Sequence, residues 1–294
     1  MNISEEIKQS FKKGSSLTKL IYINLAVFLT IKVLYVLFFL FNYQAPDGFS
    51  IIQWFAVPAK LSNLIIKPWT IITYMFLHER FWHILVNMLW LFWLGRIFLE
   101  YFDQKKLVSI YLLGGLSGAA LYIIAFNIFP VFKPILEISH ALGASAAVLA
   151  IVIAISVYVP NYIIYLFFFR VKLKYIAIFS VLLDIISIPS GNAGGHIAHL
   201  GGAFLGYIYI QQFRKGKDIA KGFNRFIDNF FSLFKTKRKL KVSHKRPMTD
   251  VEYNKYKAKK QIEIDEILDK ISKSGYDSLT KEEKEILFRM SNKK

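Results

Sequence analysis

Four polar residues stand among apolar ones in this 294-residue chain: His83, Asn87, Ser145 and His199. An imidazole beside a hydroxyl is the pairing that nucleophilic catalysis uses, because a neutral ring nitrogen can take the serine proton as the oxygen attacks a carbonyl. A second imidazole and an amide are hydrogen-bond donors suited to the oxyanion that such an attack creates. His83 and Asn87 are four residues apart and share one face of a helix. Ser145 lies in Gly143-Ala144-Ser145-Ala146-Ala147. His199 lies in Ala198-His199-Leu200-Gly201-Gly202-Ala203, with Gly206 completing a GxxxG. Small-residue patches let two membrane helices pack backbone to backbone, which would bring Ser145 and His199 within hydrogen-bond reach. No Asp or Glu is expected near His199 in that layer. The expected arrangement is therefore a Ser–His dyad, with His83 and Asn87 facing the oxyanion and Gly143 in support.

The elements that must carry these residues are read from hydropathy. The chain is 54% apolar and 16% aromatic, and the excess gathers in blocks of about twenty residues, the length a helix needs to cross a hydrocarbon core. A single soluble domain and a disordered chain are both excluded. The absence of cysteine excludes a disulfide framework, a thiol nucleophile and a cysteine-held metal. Spans are expected at about 20–41, 82–101, 107–128, 142–158, 173–189 and 194–213. Between the first two, Pro46, Gly48, Pro58 and Pro68 break a greasy stretch holding Ile51, Trp54 and Phe55, which suits an interfacial loop.

The loops 102–106 (Lys105, Lys106) and 170–174 (Arg170, Lys172, Lys174) are basic, as are both ends of the chain. Loop 129–141 has only Lys133 and Glu137, and 189–195 has no charge. The positive-inside rule then puts both termini in the cytoplasm of a multi-pass cell-membrane protein. Spans 2, 4 and 6 enter from the outer side, so the four polar residues share a layer about 6–10 Å below that boundary. The net charge of +18 divides into 15 basic against 8 acidic residues over 1–213, and 23 against 12 over 214–294. That distribution suits anionic lipid beside basic loops and a basic tail, not nucleic acid. Three segments are expected: a cytoplasmic stretch 1–19, a membrane core 20–213 and a basic cytoplasmic tail 214–294. Within the tail, 218–235 places Ile219, Phe223, Phe226, Ile227, Phe230, Phe231 and Phe234 at helical spacing, as in a helix lying on a membrane surface. Residues 250–294 read as a small helical element.

Phe76-Leu77-His78, His83, Asn87-Met88, Gly143-Ala144-Ser145 and Ala198-His199-Leu200-Gly201-Gly202 through Gly206 follow the order HxxxN, GxSx, AHxxGxxxG. In this the sequence resembles the rhomboid intramembrane serine proteases over about residues 17–213. The resemblance implies an all-α membrane protein, a six-transmembrane-helix bundle with a water-filled cavity open to the outer face; here the cytoplasmic helical tail lies outside it. It implies Ser145 as nucleophile, His199 as general base, and an oxyanion site made by His83, Asn87 and the Ser145 backbone N–H. The implied activity is a serine endopeptidase that cuts single-span membrane-protein substrates in or near their transmembrane segments, without cofactor, metal or nucleic acid. Three positions depart from the pattern. Ala146 replaces the usual glycine, Leu149 replaces an aromatic that often packs on the histidine, and Thr70 follows Trp69 where the loop motif has arginine. The rival readings are a catalytically silent relative that binds membrane clients, and a small transporter built on Asp184. Silent relatives usually lack the serine or the histidine, and this chain has both.

Other polar residues invite the same questions. Gly115-Leu116-Ser117-Gly118 matches GxSG better than the Ser145 site does, yet Ser117 falls near mid-span with no histidine at its depth, so Gly114 and Gly118 suggest helix packing. His78 to His83 has one residue more than the zinc-binding HExxH, and five helical steps turn the second ring about 140° from the first. His196 and His199 are spaced to share a metal but find no third ligand beyond His140, so His196 is placed at the cavity mouth. Asp184 lies toward the outer end of the fifth span, satisfied by water or a donor from a neighbouring helix. Lys32 in the first span is expected to snorkel only in part.

Overall fold

The structure, a computed structural model, describes residues 3–43, 50–166, 168–232 and 248–291. Pro46, Gly48 and Phe234 of the sequence reading lie outside the described residues. Two units are formed, residues 1–235 and 236–294.

In the first unit a short helix α1 (Ile3–Lys13) precedes α2 (Ser16–Leu40), whose start is capped by the Ser15 side chain accepting from the Thr18 N–H. Leu29, Val33, Val36 and Phe39 of α2 are exposed. A helix that is apolar all round yet uncovered by protein belongs in lipid. The stretch that follows folds into α3 (Ile51–Phe55), β1 (Val57–Pro58), α4 (Leu61–Ile66) and α5 (Thr70–Thr73), with Trp54, Phe55, Ile65, Ile66 and Trp69 exposed. A single 3₁₀ turn (Tyr74–Phe76) leads to α6 (Phe81–Tyr101) and α7 (Gln104–Ile128). Asp103 caps α7 by accepting from the Lys106 N–H at 2.8 Å.

β2 (His140–Ala141) pairs antiparallel with β1 and leads into α8 (Ser145–Tyr158). All residues of α8 from Ala146 to Ser156 are buried, as expected of a helix that is apolar on every face and central in a bundle. β3 (Ile163–Leu166) and β4 (Phe169–Lys172) form an antiparallel hairpin before α9 (Leu173–Ser187) and α10 (Ala193–Arg214). These two short ladders are additions to a mostly helical fold; the second is carried by a β-branched and aromatic run, Ile163-Ile164-Tyr165-Leu166. Of the six expected spans, α2, α6 and α7 are by themselves long and apolar enough to cross a membrane, while α8 is shorter.

Glycines set the core. A Cβ on Gly202 would lie 2.0 Å from the Ala146 carbonyl oxygen, and one on Gly206 would lie 2.3 Å from that of Ala150. On α7, a Cβ at Gly114 would meet the Ala150 Cβ at 2.3 Å. Helices α7, α8 and α10 therefore touch at backbone distance, closer than any other residue type permits. The amphipathic helix α11 (Ala220–Ser232) is joined to the start of α7, with Asn224 Oδ1 accepting from Ser109 Oγ at 2.5 Å.

The second unit holds α12 (Asp250–Ser274) and α13 (Lys281–Ser291). Thr249 and Glu252 form a reciprocal capping box at the start of α12, satisfying two backbone donors at once. Lys270 Nζ donates to both Glu283 oxygens at 2.9 and 3.0 Å.

Candidate functional site

Ser145 is the first residue of α8. The sequence puts the start of this span at about 142, three residues earlier, and the later helix start has a local cause. Gly143 adopts φ +123°, a conformation that L side chains rarely tolerate, and the chain cannot enter a helix before passing it. The turn is fixed from two sides. The Gly143 N–H donates to the Tyr74 carbonyl at 2.9 Å, and the Ala144 N–H donates to His78 Nε2 at 3.4 Å. Tyr74 is itself anchored, its hydroxyl donating to the Gly115 carbonyl on α7 at 2.5 Å. The Ser145 oxygen thus sits at a helix N-terminus, where backbone N–H groups have no intrahelical partner and the helix dipole favours negative charge.

His199 reaches Ser145 from α10 across the glycine contact. Ser145 Oγ is 2.6 Å from His199 Nε2. On the far side of the ring, His199 Nδ1 is 2.8 Å from Asp184 Oδ1. The expectation that no carboxylate shares this layer is overturned: Asp184, near the end of α9, completes a Ser–His–Asp line. In the tautomer with its proton on Nδ1, toward the Asp184 carboxylate, the ring leaves Nε2 to accept from the serine hydroxyl. His196 also turns to the same oxygen, with Nδ1 2.8 Å from Asp184 Oδ1. Asp184 is 6% exposed. The missed signal was one of depth: α9 ends three residues after Asp184, and α10 starts three residues before His196, so the helix turn returns both to one level.

His83 and Asn87 face the same cavity from α6. It has a volume of about 640 Å³, lined by these two, Ser145, Leu149, Asp184, His196 and His199, and by an apolar wall that runs down to Trp90, Ile176 and Phe179. A Cβ on Gly143 would lie 3.0 Å from His83 Nε2 and 3.6 Å from Ser145 Oγ, so glycine is required there for space as well as for backbone. The Asn87 amide nitrogen donates to the His83 carbonyl at 2.8 Å.

In the sequence His78 stands only as part of a motif and as one of two histidines whose spacing does not suit a shared metal. It lies in the turn before α6, is fully buried, and its ring centroid is 5.0 Å from that of His83. The regular-helix argument that held these rings apart fails because the helix starts at Phe81. Burial, then the neighbouring His83, push the His78 pKa down to about 4, against a smaller opposing influence of the Phe76 backbone. Its neutral Nε2 is what receives the Ala144 N–H.

The remaining candidates are placed elsewhere. Ser117 Oγ donates to the Gly201 carbonyl at 2.8 Å, in the contact between α7 and α10. His140 sits in β2 with Nδ1 2.8 Å from the Ile138 carbonyl. Trp69 stacks on Trp54 at 6.0 Å and donates from Nε1 to the Trp54 carbonyl, while Thr70 is tied to the Lys67 carbonyl. Lys32 Nζ lies 5.5 Å from the Phe28 ring centre on α2.

Comparison with known proteins gives three findings. Residues 66–215 match the model of the rhomboid domain. Residues 249–293 match a family of unknown function, DUF6576. RHOMBOID-like protein 12, mitochondrial, of Arabidopsis thaliana is 34% identical over 158 residues, which is 50% of this chain and 47% of that protein. The chain spans about half the length of that curated relative.

Proposed function

Because the chain belongs to the rhomboid family of membrane proteins, we propose that it is an intramembrane serine endopeptidase acting on single-span membrane proteins. The observation that carries this reading is the 2.6 Å contact between Ser145 Oγ and His199 Nε2 in a cavity that His83 and Asn87 also line. In the proposed reaction Ser145 Oγ attacks a substrate carbonyl as its proton passes to His199 Nε2. The developing oxyanion is met by the Ser145 backbone N–H at the start of α8, by the His83 ring and by the Asn87 amide, which swings from the His83 carbonyl. Asp184 holds the Nδ1–H and steadies the imidazolium. His199 then returns the proton to the leaving amine, and water entering the cavity releases the acyl group by the same path.

A substrate helix must unwind to offer a carbonyl, so segments with helix-weakening Gly or Pro are the expected targets. We read α2, α6, α7, α8, α9 and α10 as six spans, with basic loops and both termini on the cytoplasmic side of the cell membrane. On the same reading the core is 20–213, and α11 lies on the inner surface.

The test is cleavage of a single-span substrate in lipid together with labelling by a fluorophosphonate probe. Ser145→Ala is expected to lose labelling and to lower cleavage at least about 10³-fold, with Ser117→Ala close to wild type. Wild-type protein that neither cleaves nor labels at Ser145 would instead be a silent binder of membrane clients.

A further inference from the structure

Asp184 is shared in a way the proton relay does not need. One oxygen, Oδ1, accepts from Nδ1 of both His199 and His196, each at 2.8 Å. The donor atoms of all three side chains lie within 4.8 Å of one another. All three line the cavity, and the two rings are about one-fifth exposed to it. Beyond His140 the sequence offers His196 and His199 no third metal-binding group; the fold brings Asp184 to both rings.

We propose that Asp184, His196 and His199 form a Zn²⁺ site whose occupation switches the protein off. The inhibitory half rests on the protease reading above; the binding half does not. Two imidazoles and a carboxylate are a borderline donor set that suits zinc and copper and does not suit magnesium or calcium, which prefer oxygen alone. With metal–ligand bonds of about 2.0–2.1 Å at tetrahedral angles, ligand atoms stand about 3.3 Å apart. Each 2.8 Å pair therefore opens by about half an ångström, a small rotation for two rings that border a cavity. The fourth position faces the cavity and takes water.

The effect on the site follows from proton counting. A neutral imidazole carries one ring proton. When zinc takes Nδ1 of His199, that proton leaves Nδ1 and one is gained at Nε2, with no net release. The Nε2–H then points at Ser145 Oγ and donates to it. A ring that donates to the serine cannot accept its proton, so the general base is held in the wrong tautomer.

The experiment uses the full-length protein in micelles, with zinc binding read by competition against a chromophoric chelator and the site's geometry read from the visible spectrum of bound Co²⁺. One Zn²⁺ per chain is expected, with equal affinity in wild type, Ser145→Ala and His140→Ala. Affinity should fall more than about tenfold in His196→Gln. His196→Cys should retain it and add a thiolate-to-cobalt band, which shows that the altered chain still folds. Zinc should also inhibit cleavage, reversibly on chelation, with the midpoint in His196→Gln raised by a similar factor relative to that variant's own zinc-free rate. No stoichiometric binding, or binding indifferent to both His196→Gln and Asp184→Asn, overturns the site. Site-specific binding that leaves an active wild type uninhibited overturns the switch. Binding as expected in a protein with no cleavage and no Ser145 labelling upholds the site while the protease reading fails.

Discussion

Two serines in this molecule share a Gly-x-Ser setting and are put to opposite uses. Ser117 lies within α7, where its hydroxyl is spent on the Gly201 carbonyl of α10. Ser145 begins α8, behind a glycine with positive φ, and its hydroxyl meets an imidazole. The motif is the better match at Ser117, yet local sequence similarity decides nothing here. What separates the two is position along a helix. A serine inside a helix finds its carbonyls paired along the helix and contributes one packing bond across the contact. A serine at the N-terminus gains unsatisfied backbone donors and a favourable dipole at the point where negative charge would develop. The glycine contacts at Gly118, Gly201 and Gly202 serve both places: they hold α7 against α10 around Ser117 and bring α10 against α8 so that His199 reaches Ser145.

The largest effect that would sharpen this contrast is expected at Asp184. In Asp184→Asn the side-chain amide can turn its NH₂ toward His199 Nδ1, which forces the ring proton onto Nε2. The serine then loses its acceptor although every helix contact is kept. Cleavage should fall by about 10²–10⁴-fold, with the loss in kcat and KM held within a few-fold. A kcat within threefold of wild type would return the site to a two-residue mechanism.

Much of this arrangement was legible in the sequence, and the parts that were not have physical reasons. The apolar runs at 82–101 and 107–128 fall on α6 and α7, and the three-part motif led to the family. For Asp184 the sequence offers either water or a neighbouring-helix donor without naming it, because hydropathy treats each helix separately. Its partners come from a helix that starts only after a chain reversal, and the common depth of the two had to be counted, not seen. The start of α8 was misplaced because Gly143 lies in a run of small residues whose packing role is real, and nothing in that run reveals a positive φ. His78 was missed for a related reason: its function depends on the short 3₁₀ turn at Tyr74–Phe76, which breaks the regular helix on which spacing was judged.

His78 marks a second difference between the two serines, since only the turn at Ser145 is held by a titratable group. The pKa of His78 is lowered in the folded protein to about 4, against about 6.5 in the unfolded chain. Between those values the unfolded state binds more protons, so stability rises with pH across this window. Acidification from pH 7 to pH 4 should therefore cost about 3 kcal/mol through this residue. The measurement is thermal unfolding of the Ser145→Ala protein in micelles across that range, with and without His78→Gln. The substitution should flatten the acid side of the profile. Parallel profiles would mean that a charged His78 is tolerated in the turn and that the Ala144 N–H does not depend on it.

The smallest effect is expected at the other serine, and it closes the comparison. Ser117→Ala removes one hydroxyl donor and leaves the Gly201 carbonyl, already part of a helix, with its intrahelical partner. The cost should be about 1 kcal/mol, seen as a modest drop in unfolding temperature, while cleavage stays within about twofold of wild type. Because α10 carries both Gly201 and His199, this variant also asks how tightly the contact between α7 and α10 aims the imidazole. A cleavage loss of tenfold or more with unchanged labelling at Ser145 would mean that the packing serine sets the register of the base. The two Gly-x-Ser sites would then be parts of one device instead of a site and its look-alike.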